Sequence, residues 1–570
     1  MLKNKIKAIV ALIILIIISI SGILYFNGKI KINFKTKDQQ IDEIVSFALS
    51  STMSNNFEDS LSILSDGSKK FPNNLKIMEM ELFNYYIMDD IENGNSLIKR
   101  ISNLNLDIYD KEFLLKYSIL TRNDELRRQY TDELEKITEK TQNIYYLLGL
   151  SYLSEGNIEK KDAYFKLGFQ NSTFIDRFNS KYYMRNSDFN KIYDLLSGEW
   201  SSKGFTVDMF FNTKSLLNDK FMDYIKKKYE DEPNNFNKLI LAILYYEAGK
   251  YKDAISLVED LPNLDNNISY SLLLSSLYDK QNDPVKAQKI KGEIVAMNYK
   301  DPFIHYILAK DAIINKDYGK AISEGMNSLK LNSNYLNVYF DIFYNYYNDK
   351  KDVQNSKISL LESLFYDPFN DEIYNLLGIL CFNEKDYEKS IEYFKYAYNL
   401  NESVADYFSN IANVYIQNND TINAISSLES SLNLEENDET LDYLSFEYVK
   451  NHDFDKAFST LTKLSIRNPN EDKYKYELAS LNCYLKKYDD ALKLFEEIKS
   501  PLADSLYFKS NVISAKYFLY KIDKKTAIDE ITALLKNSDI KDDLKNGLEK
   551  NKESINSIDE VISLTFFYNY

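Results

Sequence analysis

A small residue returns at an almost constant interval through the C-terminal two-thirds of the chain: Ala254, Ala287, Ala321, Ser356, Ser390, Ala424, Ala457, Ala491 and Ala527. The eight steps are 33, 34, 35, 34, 34, 33, 34 and 36 residues. One irregular core gives no such period. Stacked helical hairpins do, because every hairpin solves the same packing problem again. The period therefore directs the search for function towards an extended binding surface rather than a catalytic pocket.

The segment from Asp371 to Asn401 shows the unit best. Tyr374, Leu377, Gly378 and Cys381 fall at i, i+3, i+4 and i+7, one stripe of a helix. Asn383, Glu384, Lys385 and Asp386 break the pattern and read as a turn. Tyr387, Ser390, Ile391, Phe394, Ala397 and Tyr398 then line one side of a second helix. Neither helix buries its stripe alone, so the two pair and the pair stacks on the next. Gly378 costs about 1 kcal/mol against alanine inside a helix, which implies close approach to the partner helix. Pro72, Pro368 and Pro469 each follow a small residue, Ser60, Ser356 and Ala457, by twelve positions and mark hairpin ends.

These residues resemble the tetratricopeptide repeat, a unit of about 34 residues. Tyr374, Leu377, Gly378, Ser390, Phe394 and Ala397 meet its pattern, with Cys381 in place of the usual aromatic. Phe408, Ile411, Ala412, Tyr415, Ala424, Leu428 and Ser431 meet it again, as do Leu441, Leu444, Ser445, Tyr448, Ala457, Leu461 and Pro469. Upstream, Tyr145, Leu148, Gly149, Tyr152 and Phe165 match, although Lys161 takes the small slot. The expected fold is all-α, a right-handed superhelical solenoid of antiparallel helix pairs with an N-terminal transmembrane helix. Its parts are a basic tail over 1–7, a membrane span over 8–28, N-terminal repeats over 38–170, degenerate hairpins over 171–235, the main array over 236–537 and a capping helix and tail over 538–570. Trp200 lies in Ser197–Gly204, which reads as a loop.

From Ala8 to Gly28 no residue is charged and nearly all are apolar. At ~1.5 Å per residue this run spans a hydrocarbon core of about 30 Å. Lys3, Lys5 and Lys7 precede it, and the apolar run outlasts the weak small-residue site Ser19–Ser21, which favours an uncleaved anchor over a removed signal peptide. Lys29, Lys31, Lys35 and Lys37 nearly balance the lysines before the span, so both orientations stay open. A short tail left inside with the repeats exported is the expected one, making the chain a single-pass membrane protein.

The first 37 residues hold seven lysines and no acid, which leaves 63 basic against 86 acidic residues in the rest, a net of −23. Nucleic acid is a poor partner for such a surface. Two cysteines, Cys381 and Cys483, make no disulfide framework and read as small apolar residues. Lys226, Lys227 and Lys228 sit at a helix end, where the dipole favours them. Only two histidines occur, His305 in a first helix and His452 in a hairpin turn, and no phosphate loop or zinc-type spacing exists. No enzyme activity, cofactor or metal is expected.

In the family that the repeats resemble, first helices line an inner groove that takes extended or helical peptides. The positions that face it are here Asn375, Ile379, Phe382 and Asn383, then Ser409, Asn413, Ile416 and Gln417, with Asn345 one array position earlier. Asparagine both donates and accepts, so Asn345, Asn375 and Asn413 suit a partner's backbone. A carboxylate clamp of the family's chaperone type is not recognisable, because Ser409 stands where it wants lysine. The expected role is a membrane-anchored scaffold for protein or peptide partners. Two alternatives stand: a cell-envelope assembly or secretion factor that organises an enzyme complex, and a transferase with fused repeats.

Overall fold

A computed structural model describes residues 35–557 apart from 174, 207–208, 211–212, 214–215, 260, 262–267, 298–301, 332–340, 500 and 537–541. The apolar run over 8–28 lies outside the described residues. Among the described residues no helix is long and apolar enough to cross a membrane, and none forms a strand. The chain makes two compact units. One holds the described residues up to Ser172 with Phe205–Phe210 and Tyr229–Pro368; the other holds Thr173–Gly204, Phe211–Lys228 and Phe369 onward.

Both units are built from helix pairs. The first unit begins with Lys37–Thr52 against Phe57–Lys70 and Leu75–Ile87 against Ile91–Ile101. The second contains Asp371–Asn383 against Tyr387–Leu400, Ala405–Gln417 against Thr421–Leu434, and Asp438–Lys450 against Phe454–Arg467. All nine periodic small residues lie on second helices and none is more than 2% exposed. Their size is what the site requires. A Cβ on Gly378 would stand 2.6 Å from the Phe394 ring, and the Ser390 hydroxyl donates to the Gly378 carbonyl at 2.8 Å. Gly149 meets Phe165 in the same way.

The turn inside many of the pairs repeats as well: one residue takes a left-handed φ, and the next caps the second helix, although Lys487 after the left-handed Lys486 makes no side-chain cap. Lys385 (φ 64°) precedes Asp386, Asn419 (φ 56°) precedes Asp420, and His452 (φ 60°) precedes Asp453. Each aspartate accepts a bond from the backbone N–H three residues on, satisfying an otherwise orphaned donor. The amide of the small residue then bonds back to the cap carbonyl, as Ser390 does to Asp386 at 3.0 Å. Replacing Asp386 by alanine is expected to cost about 1 kcal/mol, read as faster amide exchange in the first turn of Tyr387–Leu400.

Adjacent hairpins are tied by a recurring triad. Tyr152 donates to Glu135 at 2.6 Å while the Lys160 ammonium lies 4.2 Å from the Tyr152 ring centre. Tyr448 donates to Glu429 at 2.6 Å with Lys456 at 5.1 Å over its ring, and Tyr278, Glu259 and Lys286 repeat the arrangement. The lysine always stands eight residues after the tyrosine, one helix further on.

Ser197–Gly204 is not a loop. Trp200 lies in the helix Phe189–Lys203, which Gly204 (φ 70°) terminates. A Cβ on Gly198 would meet nothing within 4 Å, so this glycine weakens the helix without breaking it. Lys228, the last of the three consecutive lysines, sits 4.7 Å over the Tyr193 ring. Lys161 is buried in its small-residue slot and reaches Asp162 at 2.9 Å. At the far end of the second unit, Asp542–Ser557 lays Leu548 and Ile555 over Ile513, Ala527 and Ile531.

Candidate partner-binding surface

The first helices Asp371–Asn383 and Ala405–Gln417 carry most of the candidate residues; a side-chain cap fixes where the first begins, while Val404 ahead of the second makes none. Asn370 accepts from the Glu372 amide to start the first of them. Asp371 then anchors it from below. Its carboxylate accepts from Tyr407 at 2.7 Å and from Asn401 at 2.8 Å, and pairs with Lys181. Burial alone would raise its pKa, but the Lys181 charge and the three hydrogen bonds outweigh burial and hold it below the usual carboxylate range. Lys181 belongs to the helix Arg177–Arg185, which also supplies Arg185 to Glu402 at 3.2 Å and Phe178 stacked on Phe369 at 5.6 Å. The second unit thus braces one end of this pair of first helices with a hairpin from far upstream.

On the face itself, Asn375 is half-buried and its side-chain oxygen accepts from Asn410 of the next first helix at 2.8 Å. Ile379 and Phe382 are half-buried beside Phe394, Ile411 and Val414, with Phe382 5.9 Å from the Tyr387 ring. They offer an edge to solvent and give the rest to packing. Asn383 and Gln417, at the helix ends, are exposed, while Asn413 and Ile416 are half-buried. Ser409 is engaged elsewhere. Its hydroxyl lies 2.9 Å from that of Ser431 and 3.4 Å from that of Thr440, bridging to the second helix of its own pair and to the next first helix. The side chain of Asn345 lies outside the described set; its backbone opens the π-helical turn Asn345–Lys350. Residue-by-residue reading missed Asn410, since its role depends on the offset between successive first helices.

The surface offers amide donors and acceptors bordered by apolar edges. It holds no group of three or more His, Cys, Asp or Glu suited to a metal among the described residues. His305 is buried, with its Nδ1 2.7 Å from Glu324 Oε2. Cys381 and Cys483 are buried and share no disulfide, and burial pushes the Cys483 thiol up. Asp489 and Asp490 lie in the first turn of Tyr488–Glu497 and both approach Lys493.

No family model and no curated protein matches the chain. Among solved structures, one that matches is the crystal structure of the APC/C hetero-tetramer Cut9–Hcn1, 12% identical, with 85% of this chain and 97% of that chain covered at a TM-score of 0.33. A likeness at that score carries no weight for this chain, whose repeat architecture rests on its own helix pairs.

Proposed function

We propose that this chain is a scaffold that holds protein or peptide partners along the first-helix face of its repeats, anchored to a membrane by residues 8–28. The observation that carries the reading is the Asn410–Asn375 bridge, flanked by exposed Asn383 and Gln417. It joins amide groups of two neighbouring first helices, and side-chain amides can both donate and accept along a partner's backbone. Ile379, Phe382 and Ile416 supply apolar edges beside these amides. Such a surface binds by many modest contacts on a preorganised support, so ordering costs fall mainly on the partner.

Capture from solubilised membranes tests it. Joint substitution of Asn375, Phe382 and Asn413 by alanine is expected to remove the partners that the unaltered chain retains. The same partners in both captures would overturn the groove reading. The anchor has its own test: deletion of residues 8–28 is expected to move the chain from the membrane fraction to the soluble one, and a C-terminal reporter active on one side only distinguishes the two orientations. Retention of enzymes that build envelope polymers among the captured partners would favour the assembly-factor reading of the same surface.

A further inference from the structure

In the first unit the helix Val353–Tyr366 is a second helix by register, since Ser356 fills the small slot. Its C-terminal end also seats on two first helices far upstream. The Phe365 ring lies 4.5 Å from Phe83 and 5.8 Å from Tyr86 on Leu75–Ile87, and 5.7 Å from Phe113 on Ile108–Leu120. The Lys116 ammonium sits 4.4 Å from its centre, and Tyr366 adds a second ring 5.8 Å from Phe83. At the other end of the same helix, Asn355 accepts a hydrogen bond from Asn55, the left-handed residue of the first hairpin turn. Between these contacts Glu362 is buried beside a cavity with room for about one water, lined by Met53, Asn55, Met326 and Tyr346.

We propose that this contact is a releasable clasp: the first unit closes when Phe365 and Tyr366 seat on Leu75–Ile87 and Ile108–Leu120, and opens by losing that seat together with the neighbouring contacts to the first hairpin, the Asn55–Asn355 bond among them. The hairpins at either end of the contact each hold a buried small residue and a capped second helix without it, Ser60 with Asn56 and Ser356 with Asp352. Opening therefore breaks no helix pair. The closed form also keeps ionisable groups away from water. Burial holds Lys116 down at about 8 against the pull of Glu79, Glu112 and Asp367, and burial then Asp110 push Glu79 up to about 7. Burial pushes Glu362 up to about 8, and its Oε1 makes no hydrogen bond. Release returns these groups to solvent, which offsets the loss of the aromatic contact. By register the covered face corresponds to the one that carries Asn375 in the second unit, so the clasp decides when the N-terminal repeats can receive a partner.

The test uses the full chain with Asn55→Cys and Asn355→Cys and a short bifunctional thiol reagent; the native cysteines are buried. Non-glycine residues already take the left-handed φ at Arg122 and Lys385, so a cysteine fits at 55. Rapid cross-linking is expected, and adding Phe365→Ala is expected to slow it by roughly tenfold or more, since truncating a buried Phe removes a large packing term, with the helical circular dichroism unchanged. Phe365→Leu, which keeps apolar bulk, is expected to slow it less. Lys116→Met is expected to lower the open fraction, seen as slower amide exchange in Ile108–Leu120. Unchanged cross-linking after Phe365→Ala would overturn the clasp. So would loss of helical signal together with cross-linking in both Phe365 variants, because the contact would then be core packing.

Discussion

Phe394→Ala is expected to cost about 3–5 kcal/mol, and the damage is expected to change the sign of a second substitution. Phe394 is 2% exposed, and its ring fills the space that the missing side chain of Gly378 leaves. In the unaltered chain Gly378→Ala forces a Cβ to within 2.6 Å of that ring. Overpacking of about 1–3 kcal/mol then outweighs the ~1 kcal/mol that alanine gains over glycine in a helix. With Phe394 already truncated, the clashing atoms are gone and only the helical gain remains. Gly378→Ala is therefore expected to destabilise alone and to stabilise in the Phe394→Ala background. Hairpins of a stacked array lose stability locally, so the reading belongs to amide exchange within Asp371–Asn383 and Tyr387–Leu400. A Gly378→Ala cost that is the same in both backgrounds would show that the two residues do not share one packing site.

This pair of residues also marks how far the sequence was legible. Periodicity alone placed Gly378 at a close helix contact and put nine small residues at buried positions of second helices, because packing between neighbours repeats with the chain. The turn was equally available. Asp386, Asp420 and Asp453 each stand four residues before the small slot, and that spacing is what an N-cap makes when the small residue's amide bonds back to its carbonyl. The stretch around Trp200 reads as a loop because it holds Gly198 and Gly204, whereas a helical glycine with open space beside it costs only about 1 kcal/mol. Contacts between repeats distant in sequence could not be read at all. The seat of Phe365 on Phe83 and the Lys181–Asp371 pair join segments that no nearest-neighbour pattern relates. On the candidate surface, helical spacing points to Asn375, Gln417 and Ser409 alike and carries no sign that Ser409 turns towards Ser431 and Thr440. A hydroxyl's direction depends on which acceptors the adjoining hairpin presents.

Raising the pH from 5 to 8.5 is expected to weaken the C-terminal repeats through one side chain, Glu477. It lies on the first helix Asp472–Tyr484, fully buried, and neither carboxyl oxygen makes a hydrogen bond. Burial pushes it up to about 8; Asp442 adds to the rise, and Lys473, bound to Asp442 at 2.5 Å, opposes it. A carboxyl whose folded pKa exceeds its unfolded value is protonated in the fold, so its contribution is fully present below the unfolded value of about 4.5. That contribution is lost as the pH climbs to about 8. The whole loss is on the order of 4 kcal/mol, concentrated in Asp472–Tyr484 and the first helix before it, Asp438–Lys450. Glu477→Met is expected to flatten the profile and to gain about 1–4 kcal/mol at pH 8.5, since well-packed apolar groups often replace buried charges favourably. Glu477→Gln is expected to flatten it with a smaller gain, because an unsatisfied amide remains buried. Glu362, in the first unit, titrates in the same direction, so exchange must be followed within 438–484 and not as a global signal. A slope that survives Glu477→Met in that segment would assign the titration to another group. Below pH 8 the formal charge of −16 therefore counts as an anion a side chain that the fold keeps neutral.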